Sequence, residues 1–134
     1  MPVTRTETLG LRSAADVVSV RQAVRTWAIE AGFSLVDQTK MVTAASELAR
    51  NALVHGGGGT VHMEVLVDGG RRGLRLTFSD KGPGIDDIDR ALTNGYTTGS
   101  GLGLGLGGAK RLSSEFEISS VPGQGTEVRI TRWI

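Results

Sequence analysis

Residues 80–84 read Asp-Lys-Gly-Pro-Gly, and residues 99–108 read Gly-Ser-Gly-Leu-Gly-Leu-Gly-Leu-Gly-Gly. Seven of the 20 glycines of the chain fall between Gly95 and Gly108. Because glycine loses more conformational freedom on folding than other residues, this density indicates a backbone that approaches a ligand closely or moves. A phosphate-binding loop that closes over a nucleotide needs both properties. The first stretch adds a carboxylate at a strand end.

The segments around these two stretches have the apolar spacing of helices. Ser13 is the predicted N-cap of a first helix that runs to about Ala31, with Gly32 after its end. A second helix is predicted over 35–54, and four consecutive glycines at 56–59 end it. Shorter helices are predicted at 85–92 and 104–112, on either side of a loop at 93–102.

Alternation of apolar and polar residues predicts the strands. They lie at 61–67, 74–79, 115–121 and 126–133, with a weaker edge strand at 4–9. A turn is predicted over 68–73, and Pro122-Gly123-Gln124-Gly125 forms another. The order, helices first and then mostly antiparallel strands, predicts an α+β fold. We expect a two-layer sandwich in which helices cover one face of a mixed, mostly antiparallel sheet.

The composition excludes several classes of function. A chain of 134 residues is expected to form one domain, residues 1–134. A net charge of +1 and an aromatic content of 4% argue against binding to nucleic acid. The absence of cysteine excludes disulfides and thiolate metal sites. No apolar run approaches the roughly 20 residues of a membrane span, and the N-terminus lacks a signal-peptide layout, so we expect a cytoplasmic protein without membrane contact.

Asp80 is the first candidate binding residue. An ionised carboxylate only accepts hydrogen bonds, whereas adenine offers an amine donor and guanine an oxygen acceptor. Asp80 in an otherwise apolar slot would therefore hold adenine and reject guanine. Gly82 and Gly84 would let the base lie against bare backbone. Taken alone, the stretch is more typical of a simple turn, since Asp, Gly and Pro are ordinary turn residues.

Glu47 and Asn51 form the second candidate pair. They lie four residues apart in the second predicted helix and share a face beside its apolar stripe. The amide oxygen of Asn51 would suit Mg²⁺, which prefers oxygen ligands, and Glu47 would orient or deprotonate an attacking hydroxyl. The alternative is an exposed glutamate and an asparagine that bonds locally near a helix end.

The glycine-rich stretch fits a mobile lid better than other phosphate-binding loops. Residues 103–108 match G-x-G-x-x-G, but no strand precedes them, as a dinucleotide fold requires. Ala109-Lys110-Arg111 stands where a Walker A loop would need Gly-Lys-Ser/Thr. A lid would offer backbone N–H groups and the hydroxyls of Thr97, Thr98 and Ser100 to phosphates. A flexible linker is disfavoured, because linkers rarely alternate glycine with leucine.

Taken together, these motifs resemble the GHKL ATPase family: helical E-x-x-x-N, strand-end D-x-G-x-G, a G-x-G-x-G lid, and Gly125-Thr126 before the last strand. The resemblance covers about residues 14–134 and implies the Bergerat fold, with ATP between helices and lid. It implies that Asn51 binds Mg²⁺, that Asp80 binds the adenine amine, and that Thr126 supports the base through Asp80 or water. The lid residues that it implies at the nucleotide are Thr97, Thr98, Gly99, Gly101, Leu102, Gly103, Leu104 and Gly105.

Within this family the chain is similar to the anti-sigma-factor serine/threonine kinases, and specifically to the switch kinases of the stressosome pathway. The similarity lies in residues 36–38, 46–51, 82–85, 107–112, 123–127 and 132–134. It implies a kinase that uses ATP and Mg²⁺ to phosphorylate STAS-domain proteins, with a PP2C-type phosphatase or a sigma factor as further candidate partners. The alternative is an anti-sigma factor or phosphatase activator that binds ATP without essential kinase turnover.

Several charged residues are left without a firm role by the sequence. His55 and His62 have no partner at metal-ligand spacing and are expected to be surface or packing residues. Four cationic residues also have no assigned role: Arg21, Arg50, Lys110 and Arg111. For these a solvated surface position is the default, although contact with phosphate or a partner protein stays open.

Overall fold

The computed structural model describes residues 3–85, 88, 92 and 105–134. In chain order they form β1 (Val3–Leu11), α1 (Ala14–Glu30), α2 (Leu35–Val54), β2 (Gly59–Asp68), β3 (Arg71–Asp80), α3 (Gly105–Arg111), β4 (Glu115–Val121) and β5 (Gly125–Trp133). The loop predicted at 93–102 and most of the helix predicted at 85–92 lie outside the described residues.

Both long helices begin at a serine cap. The Ser13 hydroxyl accepts a hydrogen bond from the Asp16 amide at 3.4 Å, and the Ser34 hydroxyl accepts one from the Asp37 amide at 3.1 Å. These bonds satisfy amide donors that have no partner within the helix. Gly32 has a φ of 92°, the left-handed conformation that ends α1 as predicted. The ends of α2 also agree with the prediction.

The five strands form one sheet in the order β1-β2-β3-β5-β4, and every pairing between the described strands is antiparallel. The hairpin between β2 and β3 places Asp68 opposite Arg71. Its loop is therefore the Gly69-Gly70 pair, shorter than the turn predicted over 68–73. Residues 71–73 belong to β3, because two glycines suffice to reverse the chain.

The core lies between the helices and one face of the sheet. Along β3, Leu74, Leu76 and Phe78 are buried in the same cluster as helix residues such as Val24 and Leu48. This arrangement confirms the predicted two-layer α+β sandwich. The other face is more polar and carries the Arg75–Glu64 ion pair, whose nitrogen–oxygen distances are 2.8 and 3.0 Å. The Arg75 guanidinium lowers the pKa of Glu64.

None of the described helices combines the length and the apolar character that crossing a membrane requires.

Several residues of the candidate site lie together at one end of the sheet. Reading across the strands, the register places Leu11 beside Gly59, Gly59 beside Asp80, Asp80 beside Thr126, and Thr126 beside Ser120. The loops after α2 and β3 and the β4–β5 turn therefore meet along this row. A site at this end can draw on residues from distant parts of the chain.

Candidate functional site

Asp80 is the last residue of β3 and is half-buried. Its Oδ1 atom accepts a hydrogen bond from the Gly82 amide at 2.9 Å. This local turn fixes the carboxylate at the end of the strand. The other oxygen, Oδ2, accepts no hydrogen bond from the rest of the described chain. Among the described residues, Asp80 therefore keeps one acceptor oxygen without a partner.

The loop after α2 lies directly against Asp80. A Cβ atom added at Gly56 would stand 2.3 Å from the Asp80 Cγ atom and 2.7 Å from the Ala52 carbonyl oxygen. A Cβ atom at Gly82 would stand 2.5 Å from the Gly56 Cα atom. Neither position has room for a side chain, because real Cβ contacts are longer than these distances. The glycines at 56 and 82 thus bring two backbones and the carboxylate together.

Gly84 anchors the same loop to the opposite side of the site. Its φ of 77° is a left-handed conformation that favours glycine, and an added Cβ atom would stand 2.5 Å from the Val121 carbonyl oxygen. The Gly123 amide also donates a hydrogen bond to the Pro83 carbonyl at 2.7 Å. The loop 80–85 is therefore held against the β4–β5 turn.

Asn51 and Glu47 lie on α2 and are both half-buried. The Asn51 carbonyl accepts hydrogen bonds from the His55 and Gly56 amides at 2.9 and 3.2 Å. Since Gly56 contacts Asp80, the helix end that carries Asn51 lies beside the Asp80 loop, and Glu47 lies one turn earlier. Within the described part of the chain, neither the Glu47 nor the Asn51 side chain makes a hydrogen bond or ion pair.

An open cavity of about 830 Å³ lies at this end of the sheet. Asp80 and Thr126 line it, together with the glycines at 56–59 and two exposed cations, Arg12 and Lys81. Its volume falls within the range of small-molecule sites. Glu47 and Asn51 are not among its lining residues, so the cavity covers the Asp80 side of the predicted site and not the face of α2.

Thr126 belongs to a hydrogen-bond network that the sequence motifs do not reveal. Its Oγ1 atom lies 2.8 Å from the Ser120 Oγ atom. Ser120 also receives a hydrogen bond from the Ile85 amide at 2.8 Å and donates one to the Gly125 carbonyl at 3.1 Å. Sequence reasoning missed Ser120 because nothing local distinguishes it from other strand serines. Gly56 was predicted only to end the second helix. The four consecutive glycines were nevertheless a signal that the backbone there approaches another part of the chain closely.

The predicted lid is largely outside the described residues. Thr97, Thr98, Gly99, Gly101, Leu102, Gly103 and Leu104 all fall in the range 93–104. Gly105 opens α3, the helix that follows the lid. The Ala109 side chain of α3 is fully buried in the core, so α3 packs against the rest of the fold.

The remaining polar candidates are placed away from Asp80 or on the surface. His62 lies on β2, where its Nδ1 atom pairs with the Thr8 hydroxyl at 2.8 Å, and Arg50 is exposed on α2. Over the described ranges, no group of three or more His, Cys, Asp and Glu side chains is arranged to hold a metal ion. A metal ion at this site would therefore depend on few protein ligands.

Comparisons with known proteins identify the family of this chain. Residues 36–133 match the family of histidine kinase-, DNA gyrase B- and HSP90-like ATPases. The chain is 45% identical to the serine/threonine-protein kinase RsbT of Bacillus subtilis over 119 residues, which are 89% of this chain and 90% of that protein. It is 28% identical to an anti-sigma F factor of Thermoanaerobacter over 85% of this chain and 82% of that factor.

Solved structures with the same fold are also found. The RsbU and RsbW domains of a Mycobacterium tuberculosis protein align with a TM-score of 0.66 at 24% identity, over 96% of this chain and 32% of that chain. The SiaB–SiaC complex of Pseudomonas aeruginosa aligns with a TM-score of 0.55 at 14% identity, over 98% of this chain and 91% of that chain. Likenesses at such low identity concern the fold alone, and they confirm the predicted fold class.

Proposed function

Because the chain belongs to the histidine kinase-, DNA gyrase B- and HSP90-like ATPase family, as its motifs indicate, we propose that it is an ATP-dependent protein serine/threonine kinase of the RsbT type. The identity of 45% over most of both chains supports the kinase activity. The similarity to anti-sigma F factors supports a role in controlling protein partners. In this proposal residues 1–134 act as one cytoplasmic kinase domain.

The observation that carries the proposal is the position of Asp80. Asp80 lines the cavity, its carboxylate is held by the Gly82 amide, and one carboxylate oxygen has no partner among the described residues. A carboxylate oxygen accepts a hydrogen bond from the adenine amine and is repelled by the carbonyl oxygen of guanine. The absence of side chains at Gly56 and Gly82 lets both backbones pack closely around this carboxylate. The site would thus select ATP over GTP.

Asn51 and Glu47 act on the phosphate end in this proposal. Both side chains carry oxygen atoms without partners in the described part of the chain, and both residues lie on α2, whose C-terminal end is next to the Asp80 loop. This donor set fits Mg²⁺, which takes one or two protein oxygens and completes its shell with water and phosphates. Asn51 would hold the ion, which when bound neutralises charge on the β- and γ-phosphates.

Glu47 is the proposed general base. It accepts the proton of the substrate Ser or Thr hydroxyl as that oxygen forms a bond to the γ-phosphorus, and the bond from the γ-phosphorus to the β-phosphate oxygen breaks to release ADP. Positioning supplies most of the acceleration, because holding the two reactants in line replaces a bimolecular encounter. The lid at residues 97–105 would cover the phosphates and offer backbone amides to them.

The proposed substrates are STAS-domain regulatory proteins, with a PP2C-type phosphatase or a sigma factor as further partners. Support comes from relatives that are a serine/threonine-protein kinase and anti-sigma F factors. A second candidate function keeps the same nucleotide site without essential turnover. The similarity to anti-sigma F factors favours it, since ATP would then set the lid conformation that a partner protein recognises.

The direct test is transfer of labelled γ-phosphate from ATP to a purified STAS-domain protein. We expect transfer by the wild type, and a loss of at least about a hundredfold in rate for Glu47→Gln and Asn51→Ala. Glu7→Gln, a matched change at an exposed position on β1, should leave the rate unchanged.

The two candidate functions differ in the behaviour of the Glu47→Gln variant. Full regulation of the partner by this variant, with transfer abolished, would favour the nucleotide-gated binding module. Absence of ATP binding by the wild type would overturn both.

A further inference from the structure

The hydroxyl of Ser120 makes three polar contacts at the end of the sheet. Its oxygen lies 2.8 Å from the Ile85 amide nitrogen, 3.1 Å from the Gly125 carbonyl oxygen and 2.8 Å from the Thr126 hydroxyl oxygen. Ser120 itself is half-buried and does not line the cavity, whereas Thr126 does. The Thr126 hydroxyl is therefore the side chain through which Ser120 is connected to the cavity.

The chemistry of the first two partners fixes the direction of the third bond. An amide can only donate and a carbonyl can only accept, so Ser120 receives a proton from Ile85 and gives its own to Gly125. A serine hydroxyl has one proton and two lone pairs, so a single lone pair remains for Thr126. The three hydrogen bonds can therefore form at the same time only if the Thr126 hydroxyl donates its proton to the Ser120 oxygen.

This arrangement leaves the Thr126 oxygen as an acceptor toward the cavity. Its only proton points back to Ser120, and its lone pairs have no other partner in the described part of the chain. Asp80 lies directly opposite Thr126 in the sheet and is also an acceptor. Two acceptors side by side match a ligand that presents an amine and disfavour one that presents a carbonyl oxygen.

We propose that Ser120 is a specificity-determining positioning residue, which fixes the Thr126 hydroxyl as an acceptor and so adds to the preference for adenine over guanine. The inference rests on the proposed nucleotide site, and it assigns a task to a residue outside that site. Without Ser120, the Thr126 hydroxyl would rotate freely and could donate to the carbonyl oxygen of guanine.

The test compares dissociation constants for ADP and GDP by calorimetry. Ser120→Ala should lower the ratio of the GDP constant to the ADP constant by about tenfold, the effect expected for one buried hydrogen bond. Ser120→Thr, which keeps the hydroxyl, should restore the ratio. Ser114→Ala is the matched control, because it removes a serine hydroxyl that accepts a hydrogen bond from the Trp133 amide at the other end of the same strand pair.

A double variant separates this role from a merely structural one. In a Thr126→Val background the hydroxyl is absent, so Ser120→Ala should no longer change the ratio. The inference would be overturned if folded Ser120→Ala kept the wild-type ratio of the GDP and ADP dissociation constants. It would also be overturned if Ser120→Ala lowered this ratio as much in the Thr126→Val background as in the wild type. Wild-type protein that binds neither nucleotide would instead overturn the proposed function. If Ser120→Ala does not fold, Ser120→Cys takes its place, and it should lower the ratio of the GDP and ADP dissociation constants by less than about tenfold. An unchanged ratio in Ser120→Cys would contradict the inference.

Discussion

At the scale of single residues, the site depends on the contact between Gly56 and Asp80. The two residues are 24 positions apart, and an added Cβ atom at Gly56 would overlap the carboxyl group. The Gly82 amide donates a hydrogen bond to the same carboxyl at 2.9 Å. The carboxylate is therefore held against two backbones, and its position depends on the absence of a side chain at position 56.

Replacing Gly56 with alanine tests this contact. The new methyl group must displace Asp80 or the end of α2, so we expect a destabilisation of about 1–3 kcal/mol and a loss of at least about tenfold in ADP affinity. Gly10→Ala is the control, because a Cβ atom there meets nothing within 4 Å. Denaturant unfolding and calorimetry measure the two effects. Equal ADP affinity in both variants would contradict the close-contact account.

At the scale of elements, Arg132 joins three of them. Its guanidinium donates to the Asp37 Oδ1 atom at 2.8 and 3.2 Å and to the Leu112 carbonyl at 2.9 Å. It thus links the first turn of α2 and the end of α3 to β5. Because α3 follows the predicted lid, this cluster fixes the point at which the lid rejoins the fold. The hydrogen bond from Arg132 lowers the pKa of Asp37 below its ordinary value of 3.8.

The lowered pKa predicts how this link depends on pH. Its stabilisation is fully present above the unfolded-state pKa near 3.8 and is lost as pH falls through the lower folded-state value. A double-mutant cycle of Asp37→Asn and Arg132→Gln should give a coupling energy of about 1 kcal/mol at pH 7. The coupling should fade only below about pH 4. Urea unfolding at several pH values measures it, and a coupling that already disappears at pH 6 would count against the assignment.

At the scale of the whole molecule, the sheet register places the ends of all five strands along the site. Leu11, Gly59, Asp80, Thr126 and Ser120 form one row across it. A ligand bound there contacts loops from both halves of the chain, so its binding free energy should stabilise the fold as a unit.

Nucleotide binding should therefore raise the melting temperature selectively. ADP at 100 times its dissociation constant should add about 2.7 kcal/mol, or roughly 10 °C for a chain of this size. GDP at the same concentration should give a much smaller shift, and Asp80→Asn should remove most of the ADP effect, because the amide nitrogen presents a donor to the adenine amine. Differential scanning fluorimetry measures these shifts. Equal shifts with both nucleotides would contradict selection by Asp80.

Much of the secondary structure could be predicted from the sequence, because apolar spacing and caps are local properties. The bounds of α2 and the caps Ser13 and Gly32 agree with the prediction, and the strands were identified within a few residues. A role for Asp80 at the adenine amine was inferred from the acceptor chemistry of a carboxylate together with the resemblance of the motifs. The assigned roles of Asp80, Glu47 and Asn51 and of the lid at 97–105 stay predictions.

The sequence by itself determined the elements, their amphipathic faces and the acceptor character of Asp80. Only the tertiary structure decided which distant residues meet: Gly56 with Asp80, Ser120 with Ile85, and Arg132 with Asp37. The physical reason is that periodicity reports neighbours two to four positions apart. Contacts between residues 24 to 95 positions apart depend on strand register and on the packing of the whole core, which no local pattern encodes.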